Sequence, residues 1–207
     1  PVQICDTSIR VKVNNDCQWT CKFCHNEGTE VPVNQRKRVS VFLDQSTLDL
    51  PPVENMPYTQ ALIEKFDLLG ETGIDEVHLT GGEPTLHPDL PKIVEGLTSS
   101  GFTVKMTTNG QAKPETTCRL AEAGIKGITF SIVSFDPKEF LKTQHIQSIP
   151  WANAMIRREQ QNILLAKKLG IEVKINTVVL GASDPPRVNS GREFAPHHTI
   201  KLILLPS

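Results

Sequence analysis

What this chain lacks narrows its function before any motif is read. Neither sign of charge is in surplus, with 22 Lys and Arg against 23 Asp and Glu. A chain so balanced has no global field to draw it to nucleic acid or to a membrane surface. No apolar run reaches the ~18 residues of a membrane-spanning helix, and the first residues carry no signal-peptide pattern. Both absences point to the cytoplasm. Five cysteines is an odd count, and three of them are bunched too tightly for a disulfide framework. In a reducing compartment that usage favours metal binding. The 207 residues, 38% of them hydrophobic, supply material for one domain over residues 1–207 rather than two.

The periodicity of the chain alternates. Strand patterns occupy residues 8–13, 76–80, 102–107, 127–132, 172–179 and 200–205. Helical patterns occupy 58–72, 88–101, 114–123 and 151–169, with Gly73, Gly101, Gly124 and Gly170 as stops. Another helix begins at Asp136-Pro137, with Asp136 as its cap, and a weak helical segment lies near 192–195. On the longest helix, Ile156, Ile163, Leu164 and Ala166 form the inner side. Residues 29–57 are irregular and long for a connection, and their basic run Arg36-Lys37-Arg38 reads as a solvated face. Such alternation means an α/β fold, a parallel sheet with helices on its faces. Periodicity leaves open a doubly wound sheet or an incomplete barrel. Every unusual loop falls at a strand's C-terminal end, where barrels carry their sites, so the expectation is a partial (β/α)6 TIM-like barrel. The chain ends after the sixth strand without a covering helix, so a further segment or subunit is expected to complete the barrel.

The first of those loops holds Cys17, Cys21 and Cys24, spaced by three residues and then two. Three thiolates on one loop can hold three corners of an iron–sulfur cube and leave one iron open. A zinc knuckle that recruits His25 or a distant residue as fourth ligand is the alternative. Cys5 and Cys118 read as ordinary thiols. His87, His145, His197 and His198 show no metal spacing and read as surface or capping residues. Arg157 and Arg158 read as an exposed helix face.

At the end of the second strand stands Gly81-Gly82-Glu83-Pro84, where two glycines let backbone approach a ligand and a carboxylate can accept from an ammonium group. Thr107-Thr108-Asn109-Gly110 closes the third strand and by itself is ordinary turn chemistry.

Cys-x3-Cys-x2-Cys with Phe23 before the third cysteine, followed by Gly-Gly-Glu-Pro after the next strand, resembles the radical S-adenosylmethionine (SAM) enzymes. The resemblance implies that Cys17, Cys21 and Cys24 hold a [4Fe–4S] cluster whose open iron takes the amino and carboxylate groups of SAM. One electron then cleaves SAM to methionine and a 5′-deoxyadenosyl radical, which removes a hydrogen atom from a small-molecule substrate. An electron donor such as flavodoxin or ferredoxin is implied as partner. Phe23 matches the residue bordering the adenine, and Gly81, Gly82 and Glu83 match the turn that meets the methionine ammonium.

Within that family the chain resembles the GTP 3′,8-cyclases of molybdenum cofactor biosynthesis. Residues 123–138 align without gaps to that group's AGL-x-x-V-x-V-S-L-D-S-L-D-P-E stretch, which places Ser131 on a SAM-binding serine. Thr107 and Asn109 fall in the SAM-contacting turn. Lys174 and Asn176 match a K-x-N-x-V strand whose lysine reaches the SAM carboxylate. Arg10 matches an arginine used on the nucleotide, and Cys24-His25-x-Glu27-Gly28 matches a sequence seen in some of these cyclases. The chain departs from the group in two places. Glu76 and His78 stand where the cyclases carry basic residues, and the cysteines of their second cluster are not in view. The resemblance therefore implies a nucleotide or nucleoside substrate. A peptide or other natural-product precursor, and a non-catalytic electron-carrying module, are the alternatives.

Overall fold

The computed structural model describes residues 7–14, 16–19, 21, 55–144, 148–179 and 199–204. Its strands are β1 (Ser8–Lys12), β2 (Glu76–Thr80), β3 (Thr103–Thr108), β4 (Gly127–Ser131), β5 (Glu172–Val179) and β6 (Thr199–Leu204). The helices are α1 (Gln60–Glu71), α2 (Leu90–Ser99), α3 (Pro114–Glu122), α4 (Pro137–Lys142) and α5 (Ile149–Lys168). Local chemistry explains the boundaries. The Thr59 side chain accepts from Leu62 N at the start of α1, and Asp136 Oδ1 accepts from Lys138 N and Glu139 N at the start of α4. Those two backbone bonds hold the Asp136 carboxyl below its ordinary range. Gly124 and Gly170 follow α3 and α5 with φ of +87° and +77°, left-handed backbone that glycine adopts without a Cβ clash.

The strands lie in the order β1-β2-β3-β4-β5-β6. The first five are mutually parallel. Right-handed crossovers between sequential neighbours put every helix on the same side of the sheet, whereas a doubly wound sheet reverses its order and covers both faces. The unreversed order is that of a partial barrel. Side chains of Val77, Leu79, Val104, Met106, Ile128, Phe130, Val173 and Ile175 form one core with Ile63 and Phe66 of α1, Ile93, Val94 and Leu97 of α2, Leu120 of α3 and Ile163 and Ala166 of α5. Full burial of each large side chain contributes roughly 1.5–3 kcal/mol. Because strand side chains alternate, Arg10, His78, Lys105, Thr107, Thr129, Ser131, Lys174 and Asn176 occupy the opposite, helix-free face.

Two expectations need correction. β6 pairs antiparallel to β5, Lys174 opposite Leu204 and Val179 opposite Thr199. A parallel neighbour needs a crossover helix and an antiparallel one does not. The intervening sequence, with Gly181, Pro185, Pro186, Gly191 and Pro196, is poor material for such a helix; its weak helical segment lies outside the described residues. Leu164 is 67% exposed. The inner stripe of α5 runs through Ala152, Ile156, Glu159, Ile163 and Ala166, and Leu164 sits one residue, about 100°, off that stripe. Arg157 and Arg158 are exposed as read. Among the described residues no helix is long and apolar enough to cross a membrane.

Candidate functional site

The C-terminal ends of β1, β2 and β3 are tied into one unit by short polar contacts. From β1 the chain continues through Val13, whose N–H donates to Thr80 O, into Asn14 and the cysteine loop. Gly82 N donates to Asn14 O at 3.1 Å and Glu83 N to Asp16 O at 2.7 Å. In return Asn14 Nδ2 donates to Glu83 O at 2.7 Å. The Gly81–Glu83 turn thus lies against the base of the cysteine loop. A Cβ on Gly81 would clash with Asn14 Oδ1 and stand 2.8 Å from Asn14 O. The backbone oxygen cannot swing away, so Gly81→Ala is expected to cost roughly 1–3 kcal/mol of stability, as overpacking does, and to separate the two loops. Urea unfolding and cluster loading per chain measure both effects.

Glu83 is 1% exposed and its carboxylate is fully engaged. Oε1 accepts from Thr85 N at 3.1 Å, Thr85 Oγ1 at 2.5 Å and Thr108 Oγ1 at 2.6 Å. Oε2 accepts from Asn109 N at 2.7 Å. Burial pushes this carboxyl above its ordinary range, while the bonds from Asn109, Thr108 and Thr85 pull the other way. The residue joins the turn after β2 to the turn after β3. Asn109 extends the join toward the cysteines, since its Oδ1 accepts from Gln18 Nε2 at 3.2 Å and its Nδ2 stands 3.9 Å from Cys17 Sγ.

Cys17 and Cys21 border a second apolar cluster of Trp19, Phe140, Leu141, Ala152 and Ile156. Trp19 and Phe140 meet edge to face with centroids 5.4 Å apart. Trp19 N donates to Cys17 Sγ at 3.4 Å, and Gln144 Nε2 to Cys21 Sγ at 3.2 Å. Amide donors on sulfur in an apolar surround suit thiolate ligands of an iron–sulfur cluster. Among the described residues no three His, Cys, Asp or Glu side chains form a metal cage; Cys24 and Phe23 lie outside those residues, as do Cys5, His25, Glu27 and Gly28.

On the helix-free face, Arg10, His78 and Lys105 are register partners across β1, β2 and β3. Thr129 pairs with Lys174, and Ser131 with Asn176, across β4 and β5. His78 Nε2 and Thr107 Oγ1 are 2.7 Å apart, and Lys105 Nζ lies 2.5 Å from Glu76 Oε2. Burial, then the cations of Arg10, Lys105 and Lys174, hold the His78 imidazole below its ordinary pKa against the pull of Glu76. His78 therefore presents a neutral ring on a wall with Arg10 and Lys174. His87 does not sit at the surface. It is buried, with Nε2 on Met56 O at 2.8 Å and Nδ1 accepting from Asp89 N at 3.1 Å, the capping side of its expectation.

Several contributors carried no signal in the sequence. Asn14 and Gln18 look like ordinary loop polar residues, and Gln144 is 123 positions from the cysteine it touches. Thr85 adjoins the Gly-Gly-Glu-Pro turn and Thr108 stands inside the Thr107-Thr108-Asn109-Gly110 turn, the one cue that could have found them.

Comparison with known proteins shows the family and the fold. The protein of Aquifex aeolicus (strain VF5) named GTP 3′,8-cyclase is 30% identical over 189 residues, 90% of this chain and 52% of its own length. A probable GTP 3′,8-cyclase of Thermoplasma volcanium is 34% identical over 176 residues, 84% of this chain and 45% of its own. The chain spans about half the length of these curated relatives. Among solved structures, Streptococcus suis SuiB bound to precursor peptide SuiA matches with a TM-score of 0.61 at 16% identity, covering 86% of this chain and 34% of that one. The structure of anSMEcpe with bound AdoMet matches with a TM-score of 0.55 at 14% identity, covering 81% and 42%. At those identities the likeness is one of fold. The model of the radical SAM superfamily matches residues 11–185, and the chain belongs to that superfamily of enzymes, which use a [4Fe–4S] cluster and S-adenosylmethionine.

Proposed function

We propose that this chain is the catalytic core of a radical SAM enzyme acting on an anionic nucleotide or nucleoside, in the manner of the GTP 3′,8-cyclases. The observation that carries the reading is the closure of the β2 and β3 turns onto the cysteine loop through Asn14, Asp16, Gln18, Glu83 and Asn109. In this reading Cys17, Cys21 and Cys24 hold the cluster. The Gly81-Gly82-Glu83 turn would hold the SAM ammonium and Lys174 its carboxylate, while Thr107, Ser131 and Asn176 would serve the same ligand and Phe23 its adenine. Bound together, the two cofactors supply one-electron cleavage of SAM and a radical able to take hydrogen from carbon, chemistry that belongs to the cofactors.

What the protein adds is orientation and a closed site. Glu83 is spent on holding two turns at a fixed separation, so the SAM ammonium meets a pre-formed turn. The substrate part of the reading rests on the Arg10 and Lys174 cations that share a wall with the neutral His78 and favour a phosphate-bearing or otherwise anionic group, and on the names of the relatives at 30% and 34% identity.

Anaerobic reconstitution with iron and sulfide, followed by SAM and dithionite or reduced flavodoxin, tests the reading. The expected product is 5′-deoxyadenosine, absent in Cys21→Ala, with release stimulated most by purine nucleotides in a panel that includes nucleosides and peptides. No 5′-deoxyadenosine from the loaded chain overturns the enzymatic reading. Stimulation by peptides alone overturns the substrate reading.

A further inference from the structure

The cysteine loop is held from an unexpected direction. α4 ends at Lys142, and two residues later Gln144 is 1% exposed. Its backbone N–H is fixed on Leu141 O at 3.1 Å. Its carboxamide nitrogen donates to Cys21 Sγ at 3.2 Å and lies 3.3 Å from Thr143 Oγ1. Phe140 and Leu141, on the preceding turn, are buried in the apolar cluster that includes Trp19 and borders Cys17 and Cys21. Gln144 thus follows a packed turn, its backbone is fixed, and its buried carboxamide contacts Cys21 and Thr143. Across the loop, Trp19 N and Asn109 Nδ2 stand 3.4 Å and 3.9 Å from Cys17 Sγ. Both described sulfurs of the cysteine loop, Cys17 and Cys21, thus receive amide donors, and Gln144 brings the shortest contact from a distant part of the chain.

We propose that Gln144 is a positioning residue for the cluster, donating an N–H···S bond that sets its reduction potential. This rests on the reading that Cys21 is a cluster ligand. A donor to a ligating sulfur stabilises the state with more negative charge, and hydrogen bonds to sulfur and exclusion of solvent are the protein's main levers on such potentials. In a radical SAM enzyme the cluster must be reducible by the cell and still reducing enough to cleave SAM. Gln144 acts on the first requirement: removal of its donor makes the loaded chain harder to reduce.

The test is a redox titration of the cluster-loaded chain, following the electron paramagnetic resonance signal of the reduced cluster. Gln144→Leu is expected to shift the reduction equilibrium about tenfold toward the oxidised form, a fall of about 59 mV for one electron. Gln144→Glu keeps the shape but places a carboxylate against sulfur, and a larger fall is expected. A third measurement needs no variant: with ¹⁵N-glutamine incorporated, the reduced wild-type cluster is expected to show a hyperfine coupling to that nitrogen. Coincident potentials in the wild type and both variants overturn the inference, and so does an uncoupled glutamine nitrogen if the variants fail to load. A wild-type chain that forms no [4Fe–4S] signal fails on the ligand reading instead, so the two failures are distinguishable.

Discussion

Glu83→Ala is expected to lose about 4 kcal/mol of unfolding free energy. The figure follows from the donors left behind, each buried unsatisfied group costing roughly 1–3 kcal/mol with partial relaxation. Thr85 N, Thr85 Oγ1, Thr108 Oγ1 and Asn109 N all lose their acceptor together. Glu83→Gln separates acceptor geometry from charge. Backbone N–H groups address both oxygens, Thr85 N on Oε1 and Asn109 N on Oε2, so either orientation of a glutamine amide sets an NH₂ against an N–H. The glutamine variant is therefore also expected to be destabilised, by roughly 2 kcal/mol. Urea titrations at constant m-value measure both. A glutamine variant as stable as the wild type would overturn this account of the four bonds. The same titrations with saturating SAM separate scaffold from ligand contact, because bound ligand adds stability through its affinity for the folded chain. A residue that only holds the turns alters the starting stability and leaves the ligand increment of the folded fraction largely intact.

This pair of turns also shows what was legible beforehand. Local signals were reliable where one rule dominates. β2 and β5 fall on the residues their alternation predicts, and α4 begins at the Asp136 cap. The parallel direction of five strands followed from the strand-then-helix rhythm, while their unreversed order, which that rhythm leaves open, is seen in the sheet itself. The direction of β6 did not, because it depends on the connection rather than on the strand's own pattern. In the site, the motif residues Cys17, Gly81, Glu83 and Asn109 stood out by type and spacing. Their partners did not, since a hydrogen bond between Gln144 and Cys21 or between His78 and Thr107 leaves no periodic trace. Motif reading pointed to Glu83 as a ligand contact, and could not show that its carboxylate also accepts four internal bonds that join two turns.

Glu159→Gln is expected to flatten the dependence of stability on pH. Glu159 lies on the inner stripe of α5 with 0% exposure, and among the described residues neither carboxylate oxygen has a hydrogen-bond partner. It packs on the turn after β3: a Cβ on Gly110 would meet Glu159 Cγ at 3.4 Å and Phe130 at 3.2 Å. Burial pushes the carboxyl from 4.5 up to about 9 in the folded chain, with no charged neighbour contributing. Unfolding returns it to the ordinary value. Below that value both states are protonated and the group contributes nothing to the balance. As pH rises further the unfolded chain gives up its proton first, so the folded state loses stability steadily, and the loss is complete above about 9. The slope is at most about 1.4 kcal/mol per pH unit, and relaxation around a forming charge lowers it. Between pH 5 and pH 8 the glutamine variant is expected to gain on the order of 3 kcal/mol relative to the wild type. Near pH 5 the two should match, since a glutamine amide and a protonated carboxyl have similar size and both can donate. On the same helix, Met155 O one turn earlier accepts from the Gln111 amide nitrogen, and among the described residues Gln111 Oε1 is buried without a donor. Parallel pH profiles for the two proteins would show that Glu159 titrates normally. The consequence reaches the site, because Gly110 follows Asn109 directly and Asn109 N bonds to Glu83. An ionised Glu159 would loosen the turn that joins Glu83 to the cysteine loop, so alkaline loss of stability and of SAM affinity should run together in the wild type and part in the glutamine variant.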